Sequence, residues 1–138
     1  MGTVTVRWLE SKLFLAQDSH AHPIVLGKDP RDLTQWAGAK ASDLLLIAAA
    51  ACPAWDVVEI LLKQREPLED LRVECRAEQL PNPPYTYTCI HLHYQVRGDI
   101  QPHKLEKAIR LAEDKYCSVL STLRLAIPVT SDFEIEAG

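Results

Sequence analysis

Asp43-Leu-Leu-Leu-Ile-Ala-Ala-Ala-Ala-Cys52-Pro-Ala-Trp-Asp-Val-Val-Glu-Ile-Leu-Leu62 is the stretch on which the reading of this chain turns. It is a near-continuous apolar run with one thiol at its middle, closed by Asp43 on one side and Asp56 on the other. By length it reads as too short to span a bilayer, which takes roughly 18 or more apolar residues. The expectation is a helix buried on most of its faces, because a helix apolar all round cannot sit at a water surface. Its four consecutive alanines would let another backbone approach closely, so a second helix is expected against that face. A thiol at the centre of such a helix is either inert core or protected chemistry.

The ends of this helix are marked. Ser42 is a good N-cap, and Asp43 in the first turn suits the positive end of the helix dipole. The helix should run to about Arg65, since Pro67 forbids continuing. Pro53 lies inside it; lacking an N–H, it should free the carbonyl of Ala49 and bend the axis beside Cys52.

Upstream, Thr3 to Leu9 and Lys12 to Asp18 alternate apolar and polar around Glu10-Ser11, which predicts a β-hairpin. His22 to Leu26 reads as a third short strand before Gly27, and residues 28–41 as an ordered loop. Downstream, Leu71, Val73, Cys75 and Ala77 share one face of a strand, with Arg72, Glu74 and Arg76 on the other. The turn around Pro81 to Pro84 leads into Tyr85 to Val96, again alternating, and this pair is the longest hairpin in the chain. From Pro102 to about Tyr116, Leu105, Ala108, Ile109 and Ala112 mark one helical face, with Pro102 at the first helical position. A short helix, Val119 to Leu123, and a strand, Ile127 to Ile135, complete the order. Strands and helices joined mostly by hairpins predict an α+β fold on antiparallel sheet, as one domain over 1–138.

Composition narrows the function classes. Fifteen Lys and Arg against 19 Asp and Glu leave a net charge of -4 with no clustered basic face. That removes the electrostatic case for nucleic acid or an anionic membrane, and no recognition-helix signature points to a DNA-binding regulator. The N-terminus alternates like a strand and lacks the apolar region of a secretion signal, so a cytoplasmic protein with reduced thiols is expected. The four cysteines, 52, 75, 89 and 117, contain no CxxC pair, which argues against a zinc ribbon or a thioredoxin motif. Cys75 reads as structural, on the apolar face of its strand. Cys89, His91 and His93 share one strand face and are metal-capable, since Cys-His-His could hold zinc with a water. A row on a flat strand does not converge into a tetrahedron, however, and the plain reading is the solvent side of a sheet.

With these motifs in order, the chain resembles the OsmC/Ohr family, the osmotically inducible and organic hydroperoxide resistance proteins. The resemblance rests on the small-residue run ending in Cys52 and followed by Asp-Val-Val-Glu-Ile-Leu, and on Glu113-Asp-Lys-Tyr-Cys117-Ser-Val after the later helix. It covers nearly the whole chain. It implies antiparallel sheets wrapped around a long central helix in an intertwined homodimer, the two central helices packed together. The implied activity is a thiol peroxidase for organic hydroperoxides in oxidative-stress defence, without metal or cofactor. Cys52 falls at the position of the reactive cysteine and Cys117 at that of its resolving partner, which implies a Cys52–Cys117 disulfide regenerated by a dithiol such as a lipoylated protein. Cys117 is expected just before a short helix, whose N–H groups favour a thiolate.

The family pairs its reactive cysteine with an arginine held by a glutamate, and here the sequence departs. Asp43 stands nine residues before Cys52, where the glutamate would fall, and Lys40-Ala41 stands near the place of Arg-Pro. Lysine cannot make the bidentate fork of a guanidinium. Arg31 in the same loop and Arg7 on the first strand are further candidates for the activating cation. The bland readings are helix-end electrostatics for Asp43 and solvated charge for the cations. The competing function is a non-catalytic dimer that binds a small apolar or thiol-reactive ligand.

Overall fold

The computed structural model describes residues 2–138. The chain divides into two compact units, one ending at Leu45 and the other beginning at Leu46.

The first unit is an antiparallel sheet of four strands in sequence order: β1 (Thr5–Glu10), β2 (Leu13–Gln17), β3 (Pro23–Asp29) and β4 (Asp32–Trp36). The expected first hairpin forms, turning at Ser11, whose φ of 50° is left-handed and whose carbonyl accepts from Trp8 Nε1 at 2.8 Å. The third strand does not stop at Gly27 and residues 28–41 are not all loop. Gly27 takes φ 104°, which lets β3 continue through it to Asp29 and turn back as β4. Asp29 Oδ1 accepts from the Arg31 N–H at 2.8 Å in that turn, and Lys28 Nζ stacks 4.0 Å above the Trp36 ring.

Helix α1 (Ala41–Lys63) contains the organising stretch. It begins two residues earlier than expected: the Lys40 carbonyl accepts from the N–H groups of Asp43 and Leu44, which puts Ser42 inside the first turn rather than at the cap. It ends at Lys63, with Arg65 left-handed at φ 56°. There the Glu66 N–H donates to Leu61 and the Arg65 N–H to Leu62, the double bond pattern that closes a helix before a proline. At 23 residues α1 is long and apolar enough, by length and composition, to cross a membrane, which corrects the length estimate made from the run between its aspartates.

The second unit packs α1 on a three-stranded sheet, β5 (Leu68–Gln79), β6 (Tyr87–Gly98) and β7 (Val129–Glu136), together with α2 (Pro102–Leu111) and α3 (Ser118–Leu123). Ala49, Pro53, Val57 and Leu61 recur every four residues and form one buried row of α1. They meet Ile90, Leu92, Tyr94 and Val96 from the inward face of β6 and Leu105, Ala108, Ile109 and Ala112 from α2 and its extension. Burial of α1 is narrower than expected: Ile47, Trp55 and Leu62 are exposed in the single chain, Trp55 by 75%. β5 and β6 pair antiparallel as expected, but β7 runs parallel to β6, so this sheet is mixed. The helical crossover from Asp99 to Pro128 returns the chain to the same end of the sheet, which a hairpin would not do. Between α2 and α3 lies a π-helical turn, Ala112–Tyr116. The architecture is α+β, with two sheets and a long central helix.

Candidate functional site

Cys52 sits at the middle of α1, half-buried, in the turn that precedes the buried Pro53. Cys117 is buried at the junction between the π-helical turn and α3. Two features of local folding place it there. The Cys117 N–H donates to the Ala112 carbonyl at 2.9 Å, closing the wide turn, and its backbone then leaves the helical region at φ -82°, ψ 107°. Ser118 starts α3 immediately after, so Cys117 is the N-cap residue and its sulfur accepts from the Leu120 N–H at 3.3 Å.

Folding brings the thiols of Cys52 and Cys117, far apart in sequence, close enough together for Cys52 to raise the Cys117 thiol. Burial pushes the Cys117 thiol up to about 11, and the hydrogen bond to Cys52 and the like charge a Cys52 thiolate would carry push the same way. The N–H groups of Leu120 and Val119 pull it down by less. The expectation that the start of α3 favours a Cys117 thiolate therefore has the right direction and the wrong outcome. Cys117 keeps its proton at neutral pH.

The activating groups named from the sequence all lie in the first unit. Arg31 is at the exposed β3–β4 turn, Lys40 is exposed just before α1, Asp43 is exposed in the first turn of α1, and Arg7 is on the exposed β1. The other two cysteines are on the strands β5 and β6. Cys75 packs against the core from β5, where burial raises its thiol. Cys89 is on β6 opposite Glu78.

His91 and His93 face away from the core and converge on a carboxylate rather than on Cys89. His91 Nε2 and His93 Nδ1 lie 3.0 and 2.6 Å from Asp132 Oδ1 on β7, and His91 Nδ1 lies 2.7 Å from Thr130 Oγ1. Among the described residues no group of three or more His, Cys, Asp or Glu is arranged to hold a metal ion.

A polar cluster that the sequence reading did not single out adjoins the thiols. Glu113, 4% exposed, accepts from the Tyr94 hydroxyl at 2.7 Å, from Arg124 Nη2 at 3.2 Å and from Ser131 Oγ at 3.2 Å. Burial, the Glu113 charge and the hydrogen bond to it raise the Tyr94 phenol, and Cys117 adds to this from nearby. A signal was present: Glu113 continues the four-residue spacing of Leu105 and Ile109, so a carboxylate falls on the inward stripe, and Tyr94 falls on the inward row of β6.

An α+β protein with two thiols held together between a central helix and a π-helical turn is the class that fold and site define. A sequence profile for the family described as OsmC-like protein matches residues 34–132, and the chain belongs to that family. The Escherichia coli K12 protein YhfA is 32% identical over 134 residues, 96% of this chain and 97% of that protein. Among solved structures, a hypothetical protein from Aquifex aeolicus VF5 matches with a TM-score of 0.87 at 25% identity, covering 100% of this chain and 98% of that one. The organic hydroperoxide resistance protein OhrB of Bacillus subtilis shares the fold, with a TM-score of 0.65 at 14% identity over 97% of this chain and 98% of that one.

Proposed function

We propose that this protein is a cytoplasmic, thiol-dependent peroxidase that reduces organic hydroperoxides and works as a homodimer. The observation that carries the reading is the proximity of the Cys52 and Cys117 thiols, in a fold shared with a protein named for organic hydroperoxide resistance. The thiolate of Cys52 attacks one oxygen of the hydroperoxide; the O–O bond breaks and the organic fragment leaves as an alcohol after taking a proton. Cys52 becomes a sulfenic acid. The Cys117 sulfur then attacks the Cys52 sulfur, the S–O bond breaks, and water departs with the Cys117 proton as the disulfide forms. A dithiol, such as a dihydrolipoyl group, reduces that disulfide by exchange.

The assignment of roles follows from the thiols' surroundings. Cys117, protonated at neutral pH, is poorly suited to first attack and can donate to a Cys52 thiolate. Lys40, Arg31, Arg7 and Asp43 remain the candidates for the charges that favour that thiolate. Exposed apolar residues on α1, including Ile47, Trp55 and Leu62, support a second copy covering this helix. Treatment with cumene hydroperoxide is expected to remove two titratable thiols per chain, and Cys52→Ser to abolish the loss. Unchanged thiol counts in excess hydroperoxide would reject the reading.

A groove of about 620 Å³ lined mainly by apolar residues (Ala51, Ala54, Trp55, Val58, Leu62 and Leu71, with Glu59) favours the second reading, a non-catalytic dimer that binds a small apolar ligand. Ligand retained in native mass spectrometry by the Cys52→Ser, Cys117→Ser double variant, with inert thiols in the parent protein, would select it.

A further inference from the structure

We propose that Glu113 is the positioning residue for Cys117: its buried carboxylate, held by Tyr94, Arg124 and Ser131, fixes the π-helical turn that aims the Cys117 sulfur at Cys52. The inference rests on the two-cysteine reading above.

Glu113 is the buried charged residue of the described chain. An isolated buried carboxylate costs several kcal/mol, and an apolar residue of similar size is often the more stable choice at such a position. A carboxylate on the stripe of Leu105 and Ile109 therefore calls for an explanation other than packing. Its three partners supply one, because they come from three different places: Tyr94 from β6, Ser131 from β7 and Arg124 from the end of α3.

The site of attachment is equally specific. Glu113 is the second residue of the π-helical turn, and Cys117 is the residue at which the turn closes. A wide turn misaligns the normal i to i-4 ladder; such turns occur mostly as single-turn insertions, frequently at functional sites. Here Arg124 Nη1 donates to the Glu113 carbonyl at 3.1 Å and to Asp114 Oδ1 at 2.9 Å, while Nη2 reaches the Glu113 side chain. One guanidinium thus holds backbone and side chain of the same residue. With the turn fixed, the Ala112 carbonyl takes the Cys117 N–H, and Cys117 starts α3 with its sulfur toward Cys52.

Glu113 is four residues from the sulfur and acts through the turn, so its loss should slow disulfide closure and spare the first oxidation. The test uses the full-length protein and two variants. Glu113→Gln keeps the shape and removes the charge; Tyr94→Phe keeps the ring and removes one donor, which protects against simple failure to fold. After a pulse of cumene hydroperoxide, sulfenic acid is trapped with dimedone and the disulfide is followed by mass. Closure should fall about 10- to 100-fold in Glu113→Gln, the scale of misplacing a reacting group by about 1 Å, and less in Tyr94→Phe. The rate of Cys52 oxidation should stay at the parent value. Closure at the parent rate in both variants, or both steps slowed together, overturns the proposal. If the parent forms neither sulfenic acid nor disulfide, the peroxidase reading fails by itself. Positioning is then read from the Cys52–Cys117 disulfide in a glutathione redox titration, where an unchanged equilibrium in Glu113→Gln overturns it.

Discussion

His93 Nδ1 lies 2.6 Å from Asp132 Oδ1, directly opposite it in the parallel register of β6 and β7. The hydrogen bond to Asp132 and the neighbouring charges of Asp132 and Glu134 raise the imidazole above its usual 6.5, against a smaller opposing effect of burial. The same bond and that of His91 hold Asp132 below 3.8. A raised imidazole contributes stability that is complete below 6.5 and disappears as pH rises through the folded value. A lowered carboxylate contributes stability that is complete above 3.8 and disappears as pH falls through its folded value. The pair therefore supports β7 most between these limits. Asp132→Asn should lower the thermal midpoint more at pH near 5 than near 9, and should return His93 toward its ordinary titration by NMR. Equal losses at both pH values would contradict this account.

The thiol of Cys117 supplies a second pH signature, with the sign of a group that prefers its proton in the folded state. Its contribution to stability is present below the usual thiol value of 9.0 and is lost as pH rises through about 11. Two of the causes that raise it come from Cys52. Cys52→Ala should therefore move the pH midpoint for alkylation of Cys117 by iodoacetamide downward, although burial will keep it from reaching an exposed thiol's value. A midpoint unmoved by the substitution would mean that burial alone sets it.

Much of the fold was legible in the periodicity of particular residues. Leu71, Val73, Cys75 and Ala77 recur every second position and do pack toward the core from β5. Leu105, Ala108, Ile109 and Ala112 mark the buried face of α2 and its extension. The direction of β7 was not legible, because alternation is the same in a parallel and an antiparallel strand. The pairing of Cys52 with Cys117 came from a family resemblance rather than from either motif alone. Glu113 was missed although its spacing from Leu105 and Ile109 put it on the inward stripe, because a single charge is ordinarily solvated surface and its three partners are distant in sequence.

Leu92 tests the core on which the site rests. It is fully buried on the inward row of β6, between Ile90 and Tyr94, in the cluster that also contains Ala49, Val57 and Cys117. Leu92→Ala removes apolar contact and leaves a cavity, with an expected cost of about 2–5 kcal/mol in urea unfolding. Thr88→Ala, at an exposed position of the same strand, removes only the hydroxyl that donates to the Glu78 carbonyl at 3.2 Å and should cost about 0.5–1.5 kcal/mol. Similar losses for the two would mean that β6 is not the core strand described here.

Gly27 makes the sharpest demand on residue type in the first unit. Its φ of 104° is a conformation that side-chain-bearing residues rarely adopt, and a Cβ built there would lie 2.0 Å from the Lys12 carbonyl oxygen. That oxygen cannot retreat freely, since it accepts the Lys28 N–H at 2.9 Å and so ties β2 to β3. Gly27 is also bound on its other side: its N–H donates to Ala39, and its carbonyl accepts from Ala37 and Gly38. Relieving the contact in Gly27→Ala would therefore strain either the β2–β3 ladder or the segment that leads into α1. A cost of about 1–3 kcal/mol is expected from the backbone conformation alone, with the clash added to it. Hydrogen exchange should show the loss first at the Lys28 amide. A variant within about 0.5 kcal/mol of the parent, with that amide still protected, would show that β3 does not need glycine to pass this point.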